Sequence, residues 1–123
     1  MAAHDFPFSL SDEEWRAKLS AGQYRVMRAH GTEAPGSCAL LTEKRAGVFS
    51  CAGCGARLFE TATKFESGTG WPSFDAPVAG SVATTIDRSH GMVRTEVHCA
   101  RCGSHLGGLR YCINGIAMDF APG

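Results

Sequence analysis

Two stretches of this 123-residue chain repeat one another: Cys51-Ala52-Gly53-Cys54-Gly55-Ala56-Arg57-Leu58 and Cys99-Ala100-Arg101-Cys102-Gly103-Ser104-His105-Leu106. They agree in both cysteines, in the glycine that follows and in the closing leucine. Cys-x-x-Cys-Gly suits the tip of a β-hairpin, where two thiolates point at one ion and glycine permits positive φ as the chain reverses. A single Cys-x-x-Cys also fits a thioredoxin-like redox pair. Two matched copies favour a tetrahedral zinc ion held by Cys51, Cys54, Cys99 and Cys102. Four protein ligands leave no position for water, so the ion reads as structural, a staple between strand ends far apart in sequence. His98 abuts Cys99, but the four thiolates already complete the set.

The segments around the repeat read as strands. Ser81 to Ile86 and Met92 to Val97 both alternate, and Asp87-Arg88-Ser89-His90-Gly91 between them supplies turn residues, which predicts an antiparallel hairpin. Leu109 to Ile113 and Ile116 to Phe120 flank Asn114-Gly115, predicting a second hairpin. No helix-length periodicity follows residue 50. Before it, Ser11 and Glu14 form a capping box for a short helix with Trp15 and Leu19 on one face. Gly22 is expected to interrupt, Gln23 to His30 to form a second helical stretch, and Thr32 to Arg45 to be a long loop. The expected fold is mainly β: twisted antiparallel, barrel-like sheets with a short helical N-terminus and a four-cysteine zinc site, in one domain over residues 1–123.

Composition narrows the function. Twelve Lys+Arg balance twelve Asp+Glu, so no basic excess points to nucleic acid. No apolar run is long enough to span a membrane, and the N-terminus lacks the layout of a secretory signal. These features predict a cytoplasmic monomer.

Removing the four ligands leaves Cys38 and Cys112. Strand alternation would put Arg110, Cys112 and Asn114 on one face, with Tyr111 and Ile113 on the other. A fixed positive charge beside a thiol favours its thiolate; the alternative is a buried cysteine behaving as a small hydrophobe. Lys64-Phe65-Glu66-Ser67-Gly68-Thr69-Gly70-Trp71-Pro72-Ser73-Phe74 is a glycine-rich loop with aromatics at its end, fit either to wall a ligand or to pack a core.

Together these segments resemble the methionine-R-sulfoxide reductase B family, from Gly31-Thr32-Glu33-Ala34-Pro35 through the first knuckle, the Lys64–Phe74 loop, Met92–Val97, the second knuckle with His105-Leu106-Gly107, and Arg110-Tyr111-Cys112-Ile113-Asn114. The resemblance implies reduction of the R epimer of methionine sulfoxide, free or in proteins. Cys112 would be the nucleophile, with Arg110 keeping it ionised. Asn114 and His105 would hydrogen-bond the attacking group, water or the sulfoxide oxygen. Trp71 would hold the S-methyl, with Phe74 beside it in the substrate site. The competing class is a zinc-ribbon binding module without catalysis.

The chain departs from the family pattern twice. Many members place their resolving cysteine where this chain has Thr69; here Cys38 is expected to form a disulfide with Cys112 that a thioredoxin-like reductant opens, the alternative being a passive loop cysteine with recycling by an external thiol. The family also follows His-Leu-Gly with His-Val-Phe and a Gly/Pro-rich stretch of roughly ten residues, a segment prone to mobility. Here Gly107 precedes Gly108 directly, and the expectation is that a histidine-bearing loop separates the two glycines, which are then not covalent neighbours.

Overall fold

Alternating strands joined by Cys-x-x-Cys-Gly turns build two antiparallel sheets in a computed structural model of the chain. It describes residues 7–29, 31–34, 36–88, 91, 93–108 and 111–122, without the side chains of Asp87 and Arg94. Of the residues named above, His30, Pro35, Ser89, His90, Met92, Leu109 and Arg110 lie outside this set.

Two short helices open the fold, α1 (Asp12–Lys18) and α2 (Ala21–Met27). Ser11 and Glu14 exchange the expected capping bonds, and Ser20 and Gln23 repeat them one helix later. That second box explains a correction: the break falls at Leu19-Ser20, where Ser20 Oγ accepts from Gln23 N–H to start α2, and Gly22 sits inside the helix. Trp15, Leu19, Val26 and Met27 are buried against the sheets. Within the expected Thr32–Arg45 loop, residues Ala39–Thr42 wind into a 3₁₀ turn.

The smaller sheet runs in the order β2 (Arg57–Glu60), β1 (Gly47–Cys51), β9 (Met118–Pro122). The larger runs β3 (Lys64–Phe65), β4 (Ser73–Phe74), β8 (Cys112–Ile113), β7 (His105–Gly108), β6 (Arg94–Cys99), β5 (Val82–Asp87). The β5–β6 hairpin forms as expected, pairing Val82 with Cys99 through Asp87 with Arg94. Its apolar stripe is buried only near the knuckle: Val97 is enclosed, whereas Ile86 and Val93 are exposed.

The Asn114-Gly115 hairpin does not form. β8 pairs with β4 and β7, β9 pairs with β1 in the other sheet, and Gly115–Ala117 is a 3₁₀ turn carrying the chain across. Of the expected Leu109–Ile113 strand, Tyr111 instead takes a left-handed φ of 52°, and the described strand β8 covers Cys112–Ile113.

The expected break between Gly107 and Gly108 is absent as well. Both lie in the unbroken strand β7, paired with Val97 and Glu96 on one side and with Ile113 and Cys112 on the other. A ladder on both flanks leaves no place for an inserted loop between them.

Candidate active site and metal centre

Each Cys-x-x-Cys knuckle closes a hairpin, β1–β2 in the small sheet and β6–β7 in the large one. The sequence repeat is also a hydrogen-bond repeat. Cys51 N–H donates to Ala56 O at 2.8 Å and Gly55 N–H to Cys51 O at 2.8 Å. Cys99 N–H donates to Ser104 O at 2.9 Å and Gly103 N–H to Cys99 O at 2.8 Å. Gly55 and Gly103 carry the positive φ, 81° and 77°, that each turn requires.

The four sulfurs lie within 4.8 Å of one another, with Cys51–Cys102 at 3.7 Å and Cys54–Cys99 at 3.6 Å. Zn–S bonds of about 2.3 Å in a tetrahedron put sulfurs about 3.8 Å apart, so this set fits such an ion. Its charge balance fits too. Hydrogen bonding to Cys51 and Cys99 holds the Cys102 thiol well down, while the bond to Cys102 pushes Cys51 well up. Cys99 is likewise pushed up by Cys102, and Cys54 is pulled down by Cys51. Thiols this close cannot all ionise without a cation between them. Around the set, Ser104 Oγ reaches Cys102 Sγ at 3.1 Å, and Arg28 Nη1 donates to Cys102 O and Ser104 Oγ. His98 is not part of it; its ring turns toward Glu96 and Thr85.

Cys112 lies in the large sheet, half-buried at the start of β8. Its partner across β4 is Ser73, whose hydroxyl donates to Cys112 Sγ at 3.4 Å. Its partner across β7 is Gly108, which adds no side chain beside the sulfur. A Cβ built on Gly108 would meet only Thr95 O, at 3.5 Å. The cysteine therefore stands between a hydroxyl on one flank and an open flank on the other.

Glu33, a residue the sequence reading left without a role, ties the surroundings together. Its carboxylate is buried (6% exposed) and accepts from Gly115 N–H at 2.9 Å and Ile116 N–H at 2.8 Å. Its own N–H donates to Asn114 Oδ1 at 2.8 Å, and its carbonyl accepts from the Trp71 indole N–H at 3.0 Å. Asn114 Nδ2 donates in turn to Leu106 O at 2.8 Å. Trp71 and Asn114, predicted from different motifs, thus meet on one glutamate. The sequence signal was present only as the glutamate in Gly-Thr-Glu-Ala, which nothing local marks as buried.

Cys38 also reaches this corner: a Cβ built on Gly115 would lie 2.5 Å from Cys38 Sγ. Burial, with Glu33 nearby, pushes the Cys38 thiol above its ordinary range. His105 projects from β7 with Nδ1 against Glu96 Oε2 at 2.7 Å. Phe74 is a correction. It is fully buried, stacked on Phe59 at 4.3 Å and edge-on to Phe49 at 5.1 Å. Adjacent strand residues face opposite ways, so with Ser73 turned to Cys112, Phe74 must enter the core and offers no surface to a substrate. Arg110 lies outside the described residues.

Residues 19–122 match the SelR domain model. The chain is 48% identical to the peptide methionine sulfoxide reductase MsrB of Leifsonia xyli over 130 positions, covering 96% of this chain and 94% of that protein. It is 51% identical to the MsrB of Pseudomonas putida W619 over 121 positions, covering 89% and 91%. Since 89% of 123 residues is about 110, about 11 of those 121 positions have no counterpart here. That number is close in size to the roughly ten-residue stretch expected after His-Leu-Gly.

Proposed function

Because this chain belongs to the methionine-R-sulfoxide reductase B family, we propose that Cys112 is the nucleophile with which it reduces the R epimer of methionine sulfoxide. The enzyme is a peptide methionine sulfoxide reductase, and the zinc-ribbon binding module without catalysis is set aside. The observation that carries the assignment of Cys112 is its setting: a half-buried thiol with a hydroxyl donor at 3.4 Å on one flank and a glycine opposite on the other.

A sulfoxide sulfur accepts a soft nucleophile once its oxygen takes up a proton. Cys112 thiolate attacks that sulfur and forms an S–S bond; the protonated oxygen then shifts from the substrate sulfur to the Cys112 sulfur as the S–S and S–O bonds to the substrate break, so methionine leaves and Cys112 is a sulfenic acid. Trp71, fixed by its indole bond to Glu33, walls the S-methyl group. Asn114 shapes the turn after Cys112 through its bonds to Glu33 and Leu106. The family pattern has a second histidine after His-Leu-Gly; this chain has Gly108 there, so His105 is the imidazole left to supply the proton. Arg110, two residues before the nucleophile, is assigned to favour the thiolate. Cys38 then attacks the sulfenic sulfur, expelling water and forming a Cys38–Cys112 disulfide, which a thioredoxin-like dithiol reduces. The packing of Cys38 on Gly115, three residues past Cys112, supports that partnership.

The four-cysteine set is assigned one structural zinc ion, which neutralises the thiolates and clamps the hairpins of the two sheets together. We assign the protein to the cytoplasm, acting as a monomer on free or protein-bound methionine sulfoxide. The decisive assay uses a diastereomerically resolved sulfoxide with dithiothreitol. Cys112→Ser should abolish turnover of the R form and leave metal content unchanged; appreciable remaining turnover overturns the assignment.

A further inference from the structure

Ser73 and Cys112 face each other across β4 and β8 in a defined way. Ile113 N–H donates to Pro72 O at 2.8 Å and Phe74 N–H to Tyr111 O at 3.2 Å, bracketing the pair. Those two bonds make it a non-hydrogen-bonded antiparallel pair, the kind with the shorter Cα separation and the closer side chains. The contact between Ser73 Oγ and Cys112 Sγ is therefore set by the backbone ladder and not by a chance rotamer.

Behind Ser73 the hydroxyls continue. Ser73 Oγ is 2.7 Å from Ser67 Oγ, and Ser67 Oγ is 2.8 Å from Thr69 Oγ1. Ser73 is buried, Ser67 half-buried and Thr69 exposed, so the chain runs from the sulfur to solvent. Each hydroxyl carries one hydrogen. Ser73 has three polar neighbours, because Trp71 O also lies 3.1 Å from its oxygen, and it can donate to only one of them at a time.

We propose that Ser73 is a catalytic residue for Cys112. Its oxygen accepts the thiol proton while its own hydrogen passes to Ser67, that of Ser67 to Thr69, and that of Thr69 to water. No bond other than S–H and O–H changes, and one proton leaves for each thiolate formed. The transfer also reverses the chain: afterwards Thr69 donates to Ser67, Ser67 to Ser73, and Ser73 to the sulfur anion. Backbone contacts hold the hydroxyls in line in either direction: Thr69 N–H donates to Ser67 Oγ and Trp71 N–H to Thr69 Oγ1, both at 3.3 Å, and Trp71 O lies 3.4 Å from Thr69 Oγ1. The loop that in many family members carries the resolving thiol carries here, at Thr69, the outer hydroxyl of a relay.

This inference rests on Cys112 as nucleophile, but its test reads the thiol without catalysis. The full-length protein is alkylated with iodoacetamide across a pH series, and peptide mass spectrometry follows modification at Cys112 alone. Losing a hydrogen bond to a charged group is worth about tenfold or more, so Ser73→Ala should slow alkylation about tenfold at neutral pH and move the rate profile to higher pH. Ser67→Ala should move it the same way by less. The kcat of Ser73→Ala should fall with the alkylation rate and recover as pH rises, with KM little changed, whereas a packing defect would not be rescued by pH. A Ser73→Ala profile that superposes on the wild type overturns the relay while leaving Cys112 as nucleophile. If Ser73→Ala does not fold, Ser67→Ala decides, and an unmoved profile there overturns it equally. An active Cys112→Ser enzyme would instead overturn the underlying reading, whatever the profiles show.

Discussion

Cys38 Sγ rests on the backbone of Gly115 at a point where any side chain would collide: a Cβ there would lie 2.5 Å from the sulfur and 2.8 Å from Cys38 Cβ. The loop bearing Cys38 and the turn after Cys112 are thus one packed unit. Gly115→Ala should destabilise the protein by about 1–3 kcal/mol through overpacking, measured by denaturant unfolding. Removing the sulfur with Cys38→Ala should relieve part of that loss, so a double-mutant cycle should return a coupling energy clearly different from zero.

The same turn depends on Glu33. Glu33→Ala would leave Gly115 N–H and Ile116 N–H without their carboxylate acceptor in a buried setting. Charge-assisted bonds are worth about 1.5–3 kcal/mol each, so a loss of about 3 kcal/mol or more in unfolding free energy is expected. Because Asn114 and Trp71 bond to the Glu33 main chain, the variant should also raise KM for the sulfoxide, read in the steady-state assay.

What the sequence disclosed and what it hid divide along the range of the interactions. The knuckles were legible because cysteine spacing and the following glycine are local chemistry, and the structure repeats them bond for bond. Asn114-Gly115 misled because the usual preference of that pair for hairpins was overridden by a glutamate 81 residues earlier, a partner no local pattern announces. Cys112, Cys38 and Trp71 were visible as residue types in a suggestive order. The hydroxyl facing Cys112 was not, since it follows from the pairing of two-residue strands that are too short to show alternation. Phe74 was misassigned for the same reason: its neighbour's direction, unknown without the ladder, sends it inward.

Removal of the metal should separate the two halves of the design. Cys102→Ser deletes a ligand that also accepts from its neighbours in the buried set. Metal analysis should fall from one ion per chain toward none, with a marked drop in Tm, because the β1–β2 and β6–β7 hairpins lose their clamp. Arg28→Ala, which removes the guanidinium bonds to Cys102 O and Ser104 Oγ, should retain the ion but weaken its hold, about tenfold or more in a chelator competition.

Gly108 offers a test of access. The space beside it admits a Cβ with nothing nearer than 3.5 Å, so Gly108→Ala should fold normally. Gly108→Val places two methyl groups next to Cys112 across the β7–β8 ladder. The fold should again survive, while kcat/KM for the sulfoxide falls by about tenfold or more through lost positioning of the reacting atoms. Equal activity of glycine and valine enzymes would show that the substrate approaches the sulfur from elsewhere.

The last expectation concerns pH and the recycling thiol. Burial and the Glu33 carboxylate push the Cys38 thiol above its ordinary range, whereas attack on the sulfenic acid requires the thiolate. The sign follows directly: at neutral pH nearly all Cys38 is protonated, and each rise of one pH unit multiplies its thiolate by about ten until the raised titration point is passed. With stoichiometric sulfoxide and no external reductant, the rate of Cys38–Cys112 disulfide formation, followed by quenching and mass spectrometry, should climb about tenfold from pH 7 to pH 8. It should level off only above the ordinary thiol range. Glu33→Gln, which removes the neighbouring negative charge, should shift that climb to lower pH. A rate flat from pH 7 upward would mean that Cys38 is already ionised in the fold or that another thiol performs the step, and Cys38→Ser would then distinguish these by keeping or losing the disulfide.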